Sequence, residues 1–313
     1  MNLDACLPTD LRGPTTTITP IAAGLSGAGV YRVDAHGRSF VLKVAKAAVP
    51  DDEWHSRLRI QRTAADAGVA PAILHVDEAQ RAVLSAFVVD HSFPARYGNP
   101  TTRSEALVQL GRTIRRVHDL PLAAEDRARD PREFAASTWS ELDASLAVPA
   151  FVSQQVRRVL EETPPPTDRP VVLSHNDVNP TNLVFDGERL LLLDWDTAGR
   201  NDPFYDLASA AVFLRMDDET SRALLSAHDG APVRSLPVRF AYMRRLVAVL
   251  AGAVFLRMAQ RNGHRGAGGE ETLDSVPSLG DFYRRIMSGT LNVASGEGQW
   301  WFGLALVKSA VES

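Results

Sequence analysis

The chain has 313 residues, of which 45% are hydrophobic and 23% charged, a composition typical of a folded globular protein rather than a disordered one. Its formal net charge of −4 and pI of about 6.1 do not favour binding to nucleic acid or to an anionic membrane, so we expect neither partner. The single cysteine, Cys6, cannot form an internal disulfide, and no basic stretch followed by an apolar run marks a secretory signal. A reducing, cytoplasmic location is expected.

The first ninety residues are rich in β-type runs separated by turn residues. Between the third and fourth of these runs, the pattern predicts a helix over 51–67, which ends at Gly68 with Pro71 just beyond. The expected strands are 15–21, 30–33, 40–44, 73–76 and 82–89.

Helical periodicity dominates from residue 102 onward. Leu107, Leu110, Ile114 and Val117 fall on one stripe of an amphipathic helix. Further helices are expected at 151–161, 204–215, 238–261 and 279–287; the apolar run 246–256 is too short to span a bilayer and predicts a buried core helix. The prediction is an α+β chain, with a small antiparallel-sheet lobe (1–89) followed by a larger, mainly helical lobe (90–313) in one unit.

A polar loop between two apolar flanks carries the strongest chemical signal. Residues 174–186 read SHNDVNPTNLVFD, and LLDWD follows shortly after. Asp177 is suited to accept the proton of a substrate hydroxyl, and Asn182 and Asp194 offer the hard oxygen ligands that Mg²⁺ requires. The order H-x-D-x-x-x-x-N and then D matches the kinase catalytic loop and the metal-binding acid after it.

A glycine-rich turn and a lysine lie upstream of this loop. Gly24, Ser26, Gly27 and Gly29 stand between two predicted strands, where backbone N–H groups can approach phosphate without a Cβ in the way. Lys43, on the next strand, stands where a kinase places its phosphate-contacting lysine. An acid on the following helix should pair with that lysine.

These features together resemble the aminoglycoside-phosphotransferase and choline-kinase superfamily, a branch of the protein-kinase-like fold. HNDVNPTNLVFD followed by LLLDWDTAGRNDPFYDLA is most similar to bacterial choline or ethanolamine kinase-like proteins. The resemblance is strong over 173–208 and extends weakly to the N-terminus. It implies a two-lobed kinase fold that uses ATP and Mg²⁺ to phosphorylate a hydroxyl of a small molecule.

The resemblance also implies roles for individual residues. Ala86 and Val88 would belong to the interlobe hinge whose backbone bonds adenine, and Asp206 would steady the catalytic loop. Glu53 is the candidate partner of Lys43, although it stands near the start of its helix. The chain departs from its relatives in two further places: the glycine pattern is G-x-x-G-x-G, and Asp196 replaces a common Glu, where it would reach metal or a basic neighbour.

Several features have ordinary explanations. The glycines suit a hairpin turn, and Lys43 alone suits a solvated strand. His175 has no second His or Cys at zinc-ligand spacing and is better explained as a structural residue of the loop. What favours a kinase is the joint occurrence of these features in the right order.

The sequence leaves the phosphate acceptor open. A choline-like cation needs an aromatic or acidic box, for which Tyr205, Trp300 and Trp301 are candidates, but the tryptophans could equally anchor the last helix in the core. An aminoglycoside would call for carboxylates such as those at 217–219, which a helix N-terminus explains as well. Three functions follow: a choline- or ethanolamine-like kinase; an antibiotic, thiamine or sugar phosphotransferase; and a catalytically silent kinase-like binding module. The intact Lys43, Asp177, Asn182 and Asp194 disfavour the last. The oligomeric state is not encoded in any motif.

Overall fold

The first part of the chain forms a five-stranded antiparallel sheet, as predicted. The computed structural model describes residues 2–21, 29–128 and 130–312. In spatial order the strands run β1-β2-β3-β5-β4. They are β1 (Thr17–Pro20), β2 (Gly29–Ala35), β3 (Arg38–Val44), β4 (Ile73–Asp77) and β5 (Ala82–Ala86).

One face of this sheet is covered by the N-terminal segment. Two short 3-10 helices, Leu3–Cys6 and Thr9–Leu11, pack onto the alternating apolar residues of β2 and β3. Burial of alternate side chains is what a period of two along a strand produces. The buried members of this small core are Cys6, Leu7, Leu11, Val33, Ala35, Phe40, Leu42, Val44, Ala82 and Leu84.

The other face carries Lys43 and is covered by helix α1 (Asp51–Asp66). Lys43 pairs in register with Val83 of β5, and Val83 packs against Trp54 and Leu58 of α1. The lysine therefore projects from the sheet beside the helix, toward the second part of the chain.

The second half of α1 packs against the larger part of the molecule. Ile60 and Ala64, followed by Val69, belong to the main hydrophobic core rather than to the core of the sheet. Arg59 forms an ion pair with the buried carboxylate of Asp126. The backbone N–H of Leu192 donates to the carbonyl of Val69 at 2.8 Å. Helix α1 thus bridges the two parts.

The larger part is mainly helical, which confirms the predicted class. The central helix, α8, carries the apolar run 246–256 and packs against α4, α6 and α10. No helix within the described residues is long and apolar enough to cross a membrane. The helices are α2 (Phe93–Gly98), α3 (Arg103–His118), α4 (Pro131–Asp143), α5 (Ala150–Glu161), α6 (Pro203–Phe213), α7 (Asp218–Asp229), α8 (Val238–Arg261), α9 (Leu279–Met287) and α10 (Gly296–Val311).

Two short strand pairs hold the polar loop. Strands β6 (Val172–Ser174) and β9 (Gly199–Asn201) pair on one side, and β7 (Leu183–Phe185) and β8 (Leu190–Leu192) on the other. Residues 175–182 connect β6 to β7, and Asp194 follows β8.

The segment between the two parts is itself bonded to β7. The backbone N–H of His91 donates to the carbonyl of Phe185 at 2.8 Å, and the N–H of Phe185 donates to Oδ1 of Asp90 at 3.1 Å. Strand β5 ends at Ala86, three residues before the predicted end, because the chain leaves the sheet there and Val89 is exposed.

Candidate active site

Asp177 lies in the loop after β6, with its carboxylate oriented by two amides. Nδ2 of Asn179 donates to Oδ1 at 2.8 Å, and Nδ2 of Asn182 donates to Oδ2 at 2.7 Å. Asn179 also caps the 3-10 helix Pro180–Asn182 by accepting from the N–H of Thr181. The loop is therefore folded around the acid that the sequence singled out.

Burial raises the pKa of Asp177 and outweighs the opposing charge of His175 and the hydrogen bond from Asn179. A carboxylate with a raised pKa binds a proton more readily at neutral pH, which suits a general base. The proton-accepting role of Asp177 stays a prediction, and its position in the loop and its buried environment are compatible with it.

Lys43 and Asp194 meet across the two parts of the molecule. Nζ of Lys43 is 2.7 Å from Oδ1 of Asp194 and 2.8 Å from Oδ1 of Asp196. Burial alone would lower the pKa of Lys43, but the charges of Asp196 and Asp194 outweigh it and raise the pKa. Asp194 has a left-handed backbone (φ 60°), which turns its carboxylate out of the strand direction toward the lysine.

The expected pair between Lys43 and Glu53 is replaced by a different arrangement. Glu53 lies in the first turn of α1, where its carboxylate contacts Arg57 at 2.5 Å and Arg127 at 3.2 Å. Asp196 takes the place beside Lys43 and is also 3.7 Å from Arg57. The link between the strand lysine and α1 therefore runs through Asp196 and Arg57, because Glu53 begins the helix too early to face the lysine.

His175 and Asp206 both make hydrogen bonds within or to the loop of residues 175–182. Nε2–H of His175 donates to the carbonyl of Leu193 at 2.9 Å, and the ring packs edge-on against Trp195. Asp206, on α6, accepts from the backbone N–H groups of His175 and Asn176, both at 2.8 Å. Asn176 has φ of 65°, a conformation that asparagine tolerates better than most residues.

Asp206 is ionised despite complete burial. Burial raises its pKa, but a hydrogen bond from His118 and the positive charges around it outweigh this effect, so the pKa is lowered. A buried carboxylate keeps its charge only where such donors surround it. Asp206 is thus a fixed anion beneath the catalytic loop.

The predicted nucleotide contacts are only partly within the described structure. Gly24, Ser26 and Gly27 lie outside the described residues, whereas Gly29 begins β2 opposite Val44. At the hinge, the N–H of Ala86 is committed to the carbonyl of Ala72 at 2.9 Å. Its carbonyl and the backbone of Val88 are the groups that remain as candidates for adenine.

The aromatic candidates differ in their accessibility. Tyr205 is buried on α6, where burial and then the charges of Asp177 and Asp206 raise its pKa. Trp300 is 1% exposed and stacks on His264, so its side chain is unavailable to a ligand and anchors α10 in the core. Trp301 is half-buried and donates Nε1–H to Glu297 at 2.5 Å.

The acidic residues at 217–219 begin a helix. Asp217 is the N-cap of α7 and accepts from the N–H of Thr220 at 2.8 Å, while Asp218 pairs with Arg244. This is the capping role that the sequence offered as the alternative to an aminoglycoside site.

Sequence reasoning missed two supporting residues. Arg57 links Asp196 to α1, and its only sequence signal is a basic residue one turn after an acid. His118, at the end of α3, donates Nε2–H to Oδ2 of Asp206 at 3.1 Å. A signal for it existed, because it follows Val117 on a helix stripe that is otherwise apolar.

Comparisons with known proteins agree with this geometry. Protein LicA of Haemophilus influenzae is 33% identical over 54 residues, 17% of this chain, so that the match spans only 20% of that relative. A choline/ethanolamine kinase family protein from Mesorhizobium loti has a similar fold, with a TM-score of 0.62, 19% identity and coverage of 96% of this chain and 94% of that one. LicA in complex with AMP is similar as well, with a TM-score of 0.59, 13% identity and coverage of 96% and 95%. The model of the phosphotransferase enzyme family matches residues 17–248, well over half of the chain, and the chain therefore belongs to that family.

Proposed function

We propose that the protein is an ATP-dependent kinase that transfers the γ-phosphoryl group to a hydroxyl of a small, amine-bearing molecule of the choline or ethanolamine type. The observation that carries this proposal is the carboxylate of Asp177. It is held by Asn179 and Asn182 at the mouth of the loop and has a raised pKa.

The chemistry would be a direct in-line transfer without a phosphoenzyme. Asp177 orients the acceptor hydroxyl and takes its proton as the new O–P bond forms, while the bond between the γ-phosphorus and the β–γ bridging oxygen breaks and ADP leaves. Since the transition state of phosphoryl transfer is loose, orienting the nucleophile and stabilising the phosphate charge supply most of the acceleration.

Lys43 is the proposed contact to the ATP phosphates. Its ammonium is held by Asp194 and Asp196, and it can exchange these carboxylates for phosphate oxygens of similar charge. Gly24, Ser26, Gly27 and Gly29 would provide backbone N–H groups to the same phosphates. The AMP complex of LicA, a protein of the same fold, supports a nucleotide site.

Asn182 and Asp194 fit a magnesium ion. Asn182 uses its amide nitrogen to hold Asp177, donating to the carbonyl at 2.9 Å and to Oδ2 at 2.7 Å, so its Oδ1 is the atom left for a cation. Mg²⁺ takes one or two such oxygen ligands and completes its shell with water and phosphate. When bound, it would neutralise the charge of the transferring phosphate.

Tyr205, on α6, is the aromatic residue that we propose for the acceptor site. The name of the Mesorhizobium loti protein supports a choline- or ethanolamine-type acceptor. Trp300, which is 1% exposed and stacks on His264, is not proposed as an acceptor contact.

An acceptor panel tests the proposal. The full chain is incubated with Mg-ATP and, in turn, choline, ethanolamine, thiamine, aminoglycosides and simple sugars. ADP release is followed with mass-spectrometric detection of the phosphorylated product. We expect product with choline or ethanolamine and none with the matched variant Asp177→Asn.

Two outcomes would count against the proposal. Phosphorylation of an aminoglycoside or a sugar alone would move the acceptor class, while leaving the phosphotransferase assignment intact. An absence of product from every acceptor, with intact ATP binding, would favour a silent binding module.

A further inference from the structure

A buried chain of hydrogen bonds runs from the catalytic loop to the far side of the helical part. Nε2–H of His118 donates to Asp206 at 3.1 Å, and Nδ1 of His118 is 2.9 Å from Nε2 of His228 on α7. Nδ1–H of His228 donates to Asp229 at 2.7 Å. Arg169 closes the chain with two hydrogen bonds to Asp229, at 2.8 and 2.6 Å.

The hydrogen bonds of this series determine how many protons the two histidine rings carry. An ionised carboxylate only accepts, so Nε2 of His118 and Nδ1 of His228 must each carry a proton. If both imidazoles were neutral, the two nitrogens that face each other would each present a lone pair. A separation of 2.9 Å is that of a hydrogen bond, which requires one further proton between them.

The two histidine rings together bind one additional proton at neutral pH and not two. Burial, and then the charge of His118, lower the pKa of His228 to about 4, so the two rings are not charged together at neutral pH. With one shared proton, the charges of the two carboxylates, the histidine pair and Arg169 sum to zero. The anions Asp206 and Asp229 are matched by the imidazole pair and by Arg169, as burial of charge demands.

We propose that His118 and His228 share a single proton and act together as a buried cation beneath Asp206, which makes His228 a positioning residue of the catalytic loop. The effect on catalysis rests on the proposed kinase function, whereas the shared proton does not. Asp206 connects the histidine pair to the loop of residues 175–182, because it accepts hydrogen bonds from the backbone N–H groups of His175 and Asn176.

The packing of the two helices brings the histidines together. Gly111 of α3 lies against α7, where a Cβ would be 2.7 Å from that of Ala227 and 2.9 Å from the backbone nitrogen of His228. Only glycine permits this approach, and His118 follows two turns later on the same helix. The side chains of His118 and His228 are 2% and 4% exposed, so water does not complete their hydrogen bonds.

The charged and titratable groups around the pair come from five elements. They are Arg115 of α3, Asp206 of α6, Asp229 of α7, His175 of the catalytic loop and Arg169 of the segment before β6. The shared proton completes the series of hydrogen bonds between the carboxylates of Asp206 and Asp229.

Proton counting by NMR tests the inference without any turnover. The full chain, labelled with ¹⁵N, has eight histidines, and long-range ¹H–¹⁵N spectra at pH 7.5 separate protonated from unprotonated ring nitrogens. His118→Gln and His228→Gln identify the relevant signals, and His55→Gln on the exposed side of α1 serves as the control. We expect protons on three of the four ring nitrogens of the pair. Protons on only two of them would overturn the proposal.

A second measurement tests the positioning role. Glutamine can present either its amide nitrogen or its oxygen to His118, whereas leucine can present neither. We expect faster amide hydrogen exchange at His175 and Asn176 in His228→Leu than in His228→Gln. Where an acceptor is known, kcat should be about tenfold lower in the leucine variant, the size of one lost buried hydrogen bond.

The pH dependence separates positioning from general damage. The pH–rate profile should be flatter in His228→Gln than in the wild-type chain, because an amide serves His118 in either protonation state. Equal exchange rates in the two variants, or parallel pH profiles, would refute the positioning role. A wild-type chain that phosphorylates nothing would refute the proposed function and leave the proton count and the exchange test in force.

Discussion

Acidification should destabilise the protein through His228, and the size of the effect can be worked from the structure. The pKa of His228 is lowered to about 4 in the folded chain, against about 6.5 in an unfolded one. Below pH 6.5 the unfolded chain binds a proton at this residue that the folded chain refuses, so stability is lost as the pH falls. A gap of about 2.5 pH units at about 1.4 kcal/mol each gives a loss of about 3 kcal/mol between pH 7 and pH 4.

Urea unfolding of the wild-type chain and of His228→Gln, across this pH range, measures the effect. The difference between their free energies of unfolding removes the contribution of carboxylates elsewhere, which titrate in both proteins. The glutamine variant lets His118 take up its proton in the folded state, because the amide oxygen then accepts from it. The difference should therefore shrink by about 3 kcal/mol from pH 7 to pH 4. A difference that stays constant with pH would refute the reasoning.

The other predictions concern the active site and the core. Asp177→Asn should lower kcat by about 10²–10⁴-fold and leave ATP affinity unchanged, as isothermal titration can verify; sustained turnover would show that Asp177 is not the base. Asp194→Asn should weaken nucleotide binding in the presence of Mg²⁺ but much less with EDTA, and an equal effect in both conditions would contradict a metal role. Asp196→Asn should raise KM for ATP more than Glu53→Gln does, since the Asp196 carboxylate is 2.8 Å from Nζ of the strand lysine, whereas Glu53 contacts Arg57 and Arg127. Trp300→Ala should lower the free energy of unfolding by about 3–5 kcal/mol with no specific effect on the acceptor KM, and a selective rise in that KM would restore it to the acceptor site.

The sequence predicted the class of the fold, and it also placed Asp177 in the polar loop that follows β6. Alternating burial along β3 and the apolar stripe of α3 are local patterns, which one segment reveals without knowledge of its neighbours. The loop around Asp177 is similarly local, because Asn179 and Asn182 reach it within five residues.

Contacts between distant segments were harder to predict. Whether Lys43 meets Glu53 or Asp196 depends on the packing of α1 against two separate elements, and the spacing along the chain does not encode it. The same holds for Trp300, since an aromatic residue near a chain end suits a binding surface and a core equally until its neighbours are known. The pairing of His118 with His228 joins residues 110 positions apart, and a close approach at Gly111 makes it possible.

The way α1 bridges the two parts of the molecule has a mechanical consequence. Its second half is packed into the main core, and Val69 just beyond it is bonded to Leu192, so the helix moves with the larger part. The connecting segment is likewise fastened to β7 at His91. We therefore expect any movement between the two parts to displace the sheet with its N-terminal turns. We expect its pivot to lie at the ends of α1 and β5, and its motion to slide β3 past a stationary helix.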